Sequence, residues 1–503
     1  MVEIELKFQV EPARRAAVKR AVVGRAAGAQ TIRLQARYFD TPDQRLAAAG
    51  LALRLRREGR NRWVQTLKGR GDGLMQRLEH EVVLPAGQPA TLDLARHDGT
   101  PAGTALRAAL GVDEGGLAER FATDIRRTRR SVRTRGSAGD SASVELAFDE
   151  GWILAREGER LRKLSVAEIE FELLDGTPQR LLALASSWVQ RHGLWLDVRS
   201  KAERGHGLAS GALPAAVTAQ PILLGRRMTS VRALAAMVQA SLAQVLPNLA
   251  VVAEATQALP EHVHQLRVGL RRLRTALREF GDGVEAVDAA WQPILAQAFA
   301  ALGALRDREV GDQTVAAARA AARQTGVDLG PARATHCHAL AARDTAALRE
   351  RTLHGVLLAL IGLALTVEPA PGSAALIGVA RKRLSRLHKR VAADAARFAA
   401  LADDQRHSLR KRMKRLRYSL EFVAPLFPAK ASTRYLALLK PAQDALGDYN
   451  DVVLAAAACV AATPHSVGDG FVLGWLSARR DALAAAAATR LKALCAAPKF
   501  WQA

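Results

Sequence analysis

Val2-Glu3-Ile4-Glu5-Leu6-Lys7-Phe8 stands at the head of the chain, and its strict alternation decides the reading of the first two hundred residues. A strand turns successive side chains to opposite faces. Glu3, Glu5 and Lys7 therefore share one face, and Val2, Ile4, Leu6 and Phe8 the other. The design recurs downstream, in Arg54 and Arg56; Gln65 with the adjacent Lys68; Arg77, Glu79 and Glu81; Glu145 and Asp149; and Glu168, Glu170 and Glu172. Period-2 segments cover 2–10, 51–57, 62–68, 77–84, 143–148 and 166–174, separated by Gly, Pro and Asp, with helical patterns at 11–24 and 178–193. A single strand of this kind reads as a solvated sheet face. Six together, each with apolar residues out and mixed charges in, are described more economically as an antiparallel barrel with a charged interior.

That interior has a chemistry. Carboxylates held a few ångströms apart in low dielectric take up protons unless cations neutralise them. A carboxylate set with no Cys or His suits hard divalent ions, Mg²⁺ or Mn²⁺. Arginines and lysines beside them would clamp an anion that also bridges the metals, a combination suited to phosphoanhydride chemistry.

The whole chain sets the bounds. Its 503 residues exceed one ordinary core, and with 49% hydrophobic and 24% charged residues it is no disordered tail, collagen or disulfide scaffold. Cys337, Cys459 and Cys495 form neither a CxxC pair nor an even framework, which argues against disulfides and structural zinc. The longest apolar run, 356–367, is too short for a membrane span, and the acids of the first ten residues do not suit a signal peptide. The expected setting is cytoplasmic, with no membrane partner. Net charge is +24: residues 1–210 hold 35 basic and 27 acidic side chains, residues 211–503 hold 38 and 22. The second part is the stronger attractor of polyanions.

Residues 206–224, rich in small residues and Pro, read as a linker. Beyond it the sequence is Ala/Leu/Arg-rich with helical periodicity, and it repeats. His264-x2-Arg267-x3-Arg271-Arg272-Leu273-Arg274 returns as His407-x2-Arg410-x3-Lys414-Arg415-Leu416-Arg417, and Leu302-Gly303-x2-Arg306-Asp307 returns as Leu446-Gly447-x2-Asn450-Asp451. At about 100° per residue, positions 264, 267, 271 and 274 occupy one sector of a helix, as do 407, 410, 414 and 417. A duplicated stripe of one His and three cations matches a linear phosphate chain better than it matches a solvated face. Arg381, Lys382, Arg383, Arg386, His388, Lys389 and Arg390 form a third basic helix, whereas the adjacent positions His336-Cys337-His338 point in different directions and suggest no site.

Glu3-x-Glu5-x-Lys7, YFDTPD at 38–43, LRLR at 53–56, TLK at 66–68, RLEHEV at 77–82, the 168–172 strand and SKAERG at 200–205 together resemble the CYTH domain of the triphosphate tunnel metalloenzymes. Inorganic triphosphatases, thiamine triphosphatases and class IV adenylate cyclases belong to that family. The resemblance covers 1–205 and implies an eight-stranded antiparallel tunnel. It implies metal ligation by Glu3, Glu5, Glu168 and Glu170, with Glu172 and Asp149 as further ligands, and phosphate binding by Lys7, Arg54, Arg56, Lys68 and Lys201. In the Arg126-Arg127-Thr128-Arg129-Arg130 run it points to Arg127, which keeps its spacing from Thr123 and Ile125; which of the four arginines face the tunnel stays open. The catalytic set would be Glu3, Glu5, Lys7, Arg54, Arg56, Lys68, Arg127, Glu168 and Glu170.

The second half, 225–503, resembles the CHAD domain, an all-helical domain associated with inorganic polyphosphate. His264, Arg267, Arg271, Arg274, His407, Arg410, Lys414 and Arg417 would contact it. The expected protein is thus a multidomain α+β chain: tunnel at 1–205, linker at 206–224, and an all-α bundle with internal duplication at 225–503. It would hydrolyse inorganic triphosphate to diphosphate and phosphate with Mg²⁺ or Mn²⁺ and bind polyphosphate. The alternative is a catalytically weak polyphosphate-binding protein associated with granules. Nucleic acid is a poor partner, since 5% aromatic content supplies few stacking platforms.

Overall fold

A computed structural model describes residues 2–24, 28–71, 73, 75–87, 90–111, 116–136, 139–255, 259–327, 329, 346–367, 374–461 and 467–502. The alternating segments form β1 (Val2–Gln9), β3 (Leu51–Glu58), β4 (Arg62–Arg70), β5 (Gln76–Val83), β7 (Ser141–Glu157) and β8 (Arg160–Gly176). Three strands join them that alternation had not flagged: β2 (Gln30–Asp40), β6 (Ala118–Arg135) and the two-residue β9 (Trp195–Leu196). The antiparallel order β5-β4-β3-β2-β6-β7-β8-β1 closes on itself because β1 also pairs with β5. Eight strands make the ring as expected; β9 adds a ninth by pairing with β1 outside that circuit.

Closure leaves an inside and an outside. The outward apolar residues are covered by helices α1 (Arg15–Val23), α2 (Arg45–Ala48), α3 (Pro101–Leu110) and α4 (Pro178–His192). Leu53 and Leu67 pack with Leu46 of α2 and Leu106 of α3, all at or near zero exposure. On the other side Phe8, Phe171 and Trp188 of α4 form an edge-to-face series with centroids 5.5 and 5.6 Å apart. Helix α5 (Lys201–Ser210) begins at a capping box between Ser200 and Glu203 and packs on β6, β7 and β8.

Not every strand turns its charges inward. Leu34, Ala36 and Tyr38 of β2 pack with Phe121 and Ile125 of β6 and Ala202 of α5 in one buried cluster. The inside is therefore half charged and half apolar, and α5, with Ala202 on one side and Lys201 and Arg204 on another, matches both. Gln65 departs from the expected inward set. Its side chain accepts from Asp93 N–H and lies 3.0 Å from His97 Nε2, on the face away from Thr66 and Lys68. Residues 65 and 68 have opposite parity and belong to opposite faces.

The helical part comprises α6 (Ser230–Glu254), α7 (Pro260–Phe280), α8 (Trp291–Ala301), α9 (Gly303–Gln324), α10 (Arg351–Thr366), α11 (Leu376–Ala396), α12 (Asp403–Val423), α13 (Ala429–Ala461) and α14 (Val467–Ala496). The contacts divide the chain into two units. The first is 1–217 together with 246–253 and 348–366, and the second is 218–245, 254–347 and 367–503. Within the first unit, His354 of α10 accepts from Leu196 N–H at 3.1 Å and lies 2.9 Å from Leu348 O, and burial pushes its pKa down to about 4. Within the second, α13 packs on α9, α12 and α14. The third basic helix, α11, does not present all its charges: Arg383 pairs with Asp282 at 2.5 Å, and His388 is buried beside Tyr435 and Trp501. Among the described residues, α6 is the one helix long and apolar enough to cross a membrane, and 72% of its apolar window is buried in the protein. The expected run at 356–367 is shorter.

Gly205 lets α5 approach the apolar wall, since a Cβ there would lie 2.2 Å from Phe121 Cε2. Phe121 is itself stacked on Tyr38 at 4.5 Å, so the ring has little room to yield. Gly205→Ala is expected to destabilise the full chain by about 1–3 kcal/mol in denaturant titrations followed by tryptophan fluorescence. An unchanged midpoint would show that the contact relaxes.

Candidate functional sites

Strand register fixes which charges meet. Across β1, β8, β7 and β6, Glu5 is opposite Glu172, which is opposite Glu145; Lys7 is opposite Glu170; Gln9 is opposite Glu168, then Asp149, then Arg127. These tiers project into one cavity of about 670 Å³, lined by Glu5, Lys7, Arg54, Arg56, Lys68, Arg127 and Lys201 among others. Asp149, Glu170 and Glu172 also line it, so these ten expected residues lie on one wall system. Glu3 occupies the inward register of β1, and its side chain lies outside the described residues. Glu168 is 0% exposed, held by Arg204, Lys201 and Gln9.

The arginine run resolves by parity. Arg127 turns inward and donates from Nε and Nη2 to Asp149 at 2.8 Å each, and also to Glu170. Arg129 shares that face and lies 3.6 Å from Glu145. Arg130 turns outward and donates to Val23 O and Ala21 O of α1, and the exposed Arg126 also has the outward parity.

The inner tier is internally compensated. Oxygens of Asp149, Glu168 and Glu170 lie within 4.8 Å of one another. Lys201 Nζ reaches Asp149 at 2.7 Å and Glu170 at 2.9 Å, and also reaches Glu168. Burial alone would raise the Asp149 and Glu170 carboxyls, but Arg127 and Lys201 outweigh it and hold both below the usual range. Burial likewise opposes the Lys201 charge, yet its three carboxylate neighbours raise its pKa.

The outer tier is different. Glu5, Glu145 and Glu172 are cross-strand neighbours on three adjacent strands, where like charges destabilise. Burial and then the charges of Glu145 and Glu5 push the Glu172 carboxyl up. An oxygen-only donor set with surplus negative charge fits a hard divalent ion. Across the lumen, Lys68 pairs with Glu79 at 2.7 Å, Arg56 with Glu81 at 3.2 Å, and Arg54 donates to Tyr38 Oη at 3.3 Å.

The sequence assigns no role to several of these residues. Alternation puts Glu145 on the inner face and says no more of it. Tyr38 lies in the YFDTPD run, and Arg204 sits three positions after Lys201 on the same helix face, a signal that could have been used. Gln9 and Asp197, joined at 2.9 Å, carry no visible pattern. Asp40 explains the same run structurally: its carboxylate accepts from Thr41, Leu46 and Ala47 N–H and so caps α2.

In the second unit the two stripes fall on α7 and α12, each 21 residues long. They converge. Burial, then Arg271 and Arg410, push the Lys414 pKa down to about 6, with Arg267 adding to this and only Asp451 opposing among its named neighbours. His407 Nδ1 meets Asn450 Oδ1 at 2.5 Å, and Arg410 lies 3.9 Å from Asp451. Arg417 turns to Glu421 at 2.6 Å and Arg274 to Gln292 at 3.5 Å. His264 is half-buried on the α7 stripe. The side chains of Arg306 and Asp307, and residues 336–338, lie outside the described residues.

Comparison with known proteins adds to this geometry. Residues 1–206 match the CYTH domain and residues 236–460 the CHAD domain. An inorganic triphosphatase of Haemophilus influenzae is 31% identical over 179 residues, which is 34% of this chain and 45% of that protein. The chain thus spans under half the length of that relative. The CHAD domain from the plant Ricinus communis shares 26% identity over 57% of this chain and 98% of its own, at a TM-score of 0.44. A Hippeastrum protein named for adenylyl cyclase, with a dominant triphosphatase activity, shares 21% identity over 42% of this chain and 97% of its own, at a TM-score of 0.30.

The surplus charge of the outer tier has a measurable consequence. The folded Glu172 carboxyl lies above its usual range, so its ionised form costs stability at neutral pH, a cost that fades as pH falls through the folded pKa. Glu172→Gln should raise the unfolding temperature at pH 7.5 in the presence of a chelator. A lower metal-free midpoint would show that Glu172 already has a compensating cation.

Proposed function

From a chain built of a CYTH domain followed by a CHAD domain, we propose an enzyme that hydrolyses inorganic triphosphate to diphosphate and phosphate in the tunnel and binds inorganic polyphosphate on its helical domain. The observation that carries the reading is one cavity in which Arg54, Arg56, Lys68, Arg127, Lys7 and Lys201 face a carboxylate tier whose mutual repulsion holds the Glu172 carboxyl up.

In this reading the bases divide the work. Arg54, Arg56 and Lys68 bind phosphate oxygens from one wall, and Lys7, Arg127 and Lys201 from the other, so that the linear triphosphate polyanion is held extended between them. Asp149, Glu168 and Glu170 fix Arg127 and Lys201 in place by the ion pairs already formed. Of the expected ligands, Glu3, Glu5 and Glu172, with Glu145 beside them, would hold Mg²⁺ or Mn²⁺ in the outer tier, and Asp149, Glu168 and Glu170, whose oxygens lie within 4.8 Å of one another, would take an ion in exchange for their ion pairs with Lys201 and Arg127. Such an ion, when bound, neutralises phosphate oxygens and acidifies a bound water. Water attack on the terminal phosphorus breaks one P–O bond and releases diphosphate, whose developing charge the lumenal arginines and lysines stabilise.

The tunnel reading predicts that Glu5→Gln lowers phosphate release from triphosphate in limiting Mg²⁺ by at least about 100-fold while the circular dichroism spectrum is retained. Hydrolysis at the wild-type rate would remove Glu5 from the site. Chelation of divalent ions should abolish turnover in the wild type, and restored Mg²⁺ or Mn²⁺ should return it.

For the helical domain, long-chain polyphosphate should bind the full chain more tightly than duplex DNA of equal charge, with affinity falling as salt rises. Replacing Arg267, Arg271, Arg410 and Lys414 together by Ala should weaken polyphosphate binding without loss of helix, since Ala is the better helix former. Equal affinity for DNA, or unchanged binding in the quadruple variant, would return both stripes to the status of solvated faces.

A further inference from the structure

Strand β9 has two edges, and one of them belongs to the barrel. Leu196 is opposite Phe8 of β1, Trp195 is opposite Gln9, and Asp197 N–H donates to Lys7 O at 3.0 Å. Backbone N–H groups alternate sides along a strand, so the Leu196 N–H faces away from β1. Leu196 is 2% exposed, and a buried N–H left without an acceptor is costly. The acceptor is His354 Nδ1 of α10, at 3.1 Å and 158 positions further along the chain.

The geometry fixes His354 for that role. Its side chain is fully buried, and Nε2 lies 2.9 Å from Leu348 O, which can only accept. Nε2 therefore carries the ring proton, and Nδ1 is left as the acceptor. The backbone on either side is held as well. Arg349, in the 3₁₀ turn Ala347–Arg349, donates to Ala253 O at 2.9 Å and lies 4.9 Å from the ring centroid of Trp195. Arg351 donates to Gln190 O of α4 at 2.9 Å. Seven positions after His354, on the same face of α10, Ile361 lines the cavity itself.

β9 leads directly into the site. Leu196, Asp197, Val198, Ser200 and Lys201 all line the cavity. Asp197 is 0% exposed and accepts from Gln9 Nε2 at 2.9 Å and Arg199 Nη2 at 2.7 Å. Ser200 then caps the helix from which Lys201 and Arg204 reach Glu168. A two-residue strand has little pairing of its own, so its placement depends on what grips its outer edge.

We propose that His354 is a positioning residue for the tunnel site: by gripping the outer edge of β9 it sets the wall 196–201, and through that wall Lys7 and Lys201. The inference rests on the triphosphate reading of the tunnel and extends it to a residue that touches no substrate. Bases ordered before the substrate arrives lower the cost of binding without adding a contact.

The test uses the full chain, inorganic triphosphate and saturating Mg²⁺. Asn places an amide oxygen where His354 Nδ1 stands, whereas Gln places its amide nitrogen where Nε2 stands and offers Leu196 no acceptor. His354→Gln should raise KM about 3–10-fold with kcat within about twofold, because bases that hold ground state and transition state alike act on KM. His354→Asn should keep the wild-type KM. A bond that served stability alone would lower the folded fraction, and with it the apparent kcat, and leave KM unchanged. Unchanged KM in His354→Gln, or an equal rise in both variants, would overturn the proposal while leaving hydrolysis in place. If the wild type itself does not hydrolyse triphosphate, the tunnel reading falls, and the placement of β9 is then read by amide hydrogen exchange in the unliganded chain. Leu196 and Asp197 N–H should be protected in the wild type and in His354→Asn, and should exchange at least about tenfold faster in His354→Gln. Rapid exchange at Leu196 in the wild type would overturn the positioning role even where neither variant folds.

Discussion

A sheet that closes on itself has one inside, and whatever the strand period sends there must be reconciled in a small volume. Here the period sends acids and bases together. Asp149, Glu168 and Glu170 are within reach of Lys201, Arg127 and Arg204, and each charge is tolerable because the others are present. Isolated burial of any one would cost several kcal/mol or force a change of protonation. Helix α5 supplies two of the three cations, so its docking and the charge state of the lumen are one problem. Gly205 permits the approach and Ala202 packs against the apolar wall.

This coupling accounts for the uneven interior. Helix α5 buries Ala202, Arg204 and Gly205, and a wall that is part apolar and part charged accommodates residues of both kinds. β2 and the first half of β6 therefore turn Leu34, Ala36, Tyr38, Phe121 and Ile125 inward, while β7 and β8 turn carboxylates inward. The outer tier of Glu5, Glu145 and Glu172, beyond the reach of Lys201 in the ion pairs described, keeps surplus charge.

The same unevenness sets how far the sequence could be read. Alternation of charge against apolar residues located β1, β3, β4, β5, β7 and β8, and the register confirmed that their charged sets, Gln65 apart, share one face. β2 alternates as well, but in the opposite sense, with Arg33, Gln35 and Arg37 outside, so the rule of charges inward passed over it. β6 was obscured by Arg126 to Arg130, where consecutive arginines erase the period; spacing from Thr123 and Ile125 points to Arg127, and the pairing with β7 sets it opposite Asp149. β9 is two residues long and exists by pairing with β1, which no local pattern encodes. The position of Glu168 beneath Arg204 and Gln9 was equally invisible, because strand parity gives a face but not a depth.

In the helical domain the repeat located both stripes and their helices but not what packs against them. Among the described side chains, Phe299 on α8 lies beside cations of the first stripe, and Asp451 on α13 and Glu421 on α12 itself lie beside cations of the second. A cation paired with a carboxylate must exchange that partner for phosphate, and the exchange returns only the difference between two charge-assisted bonds.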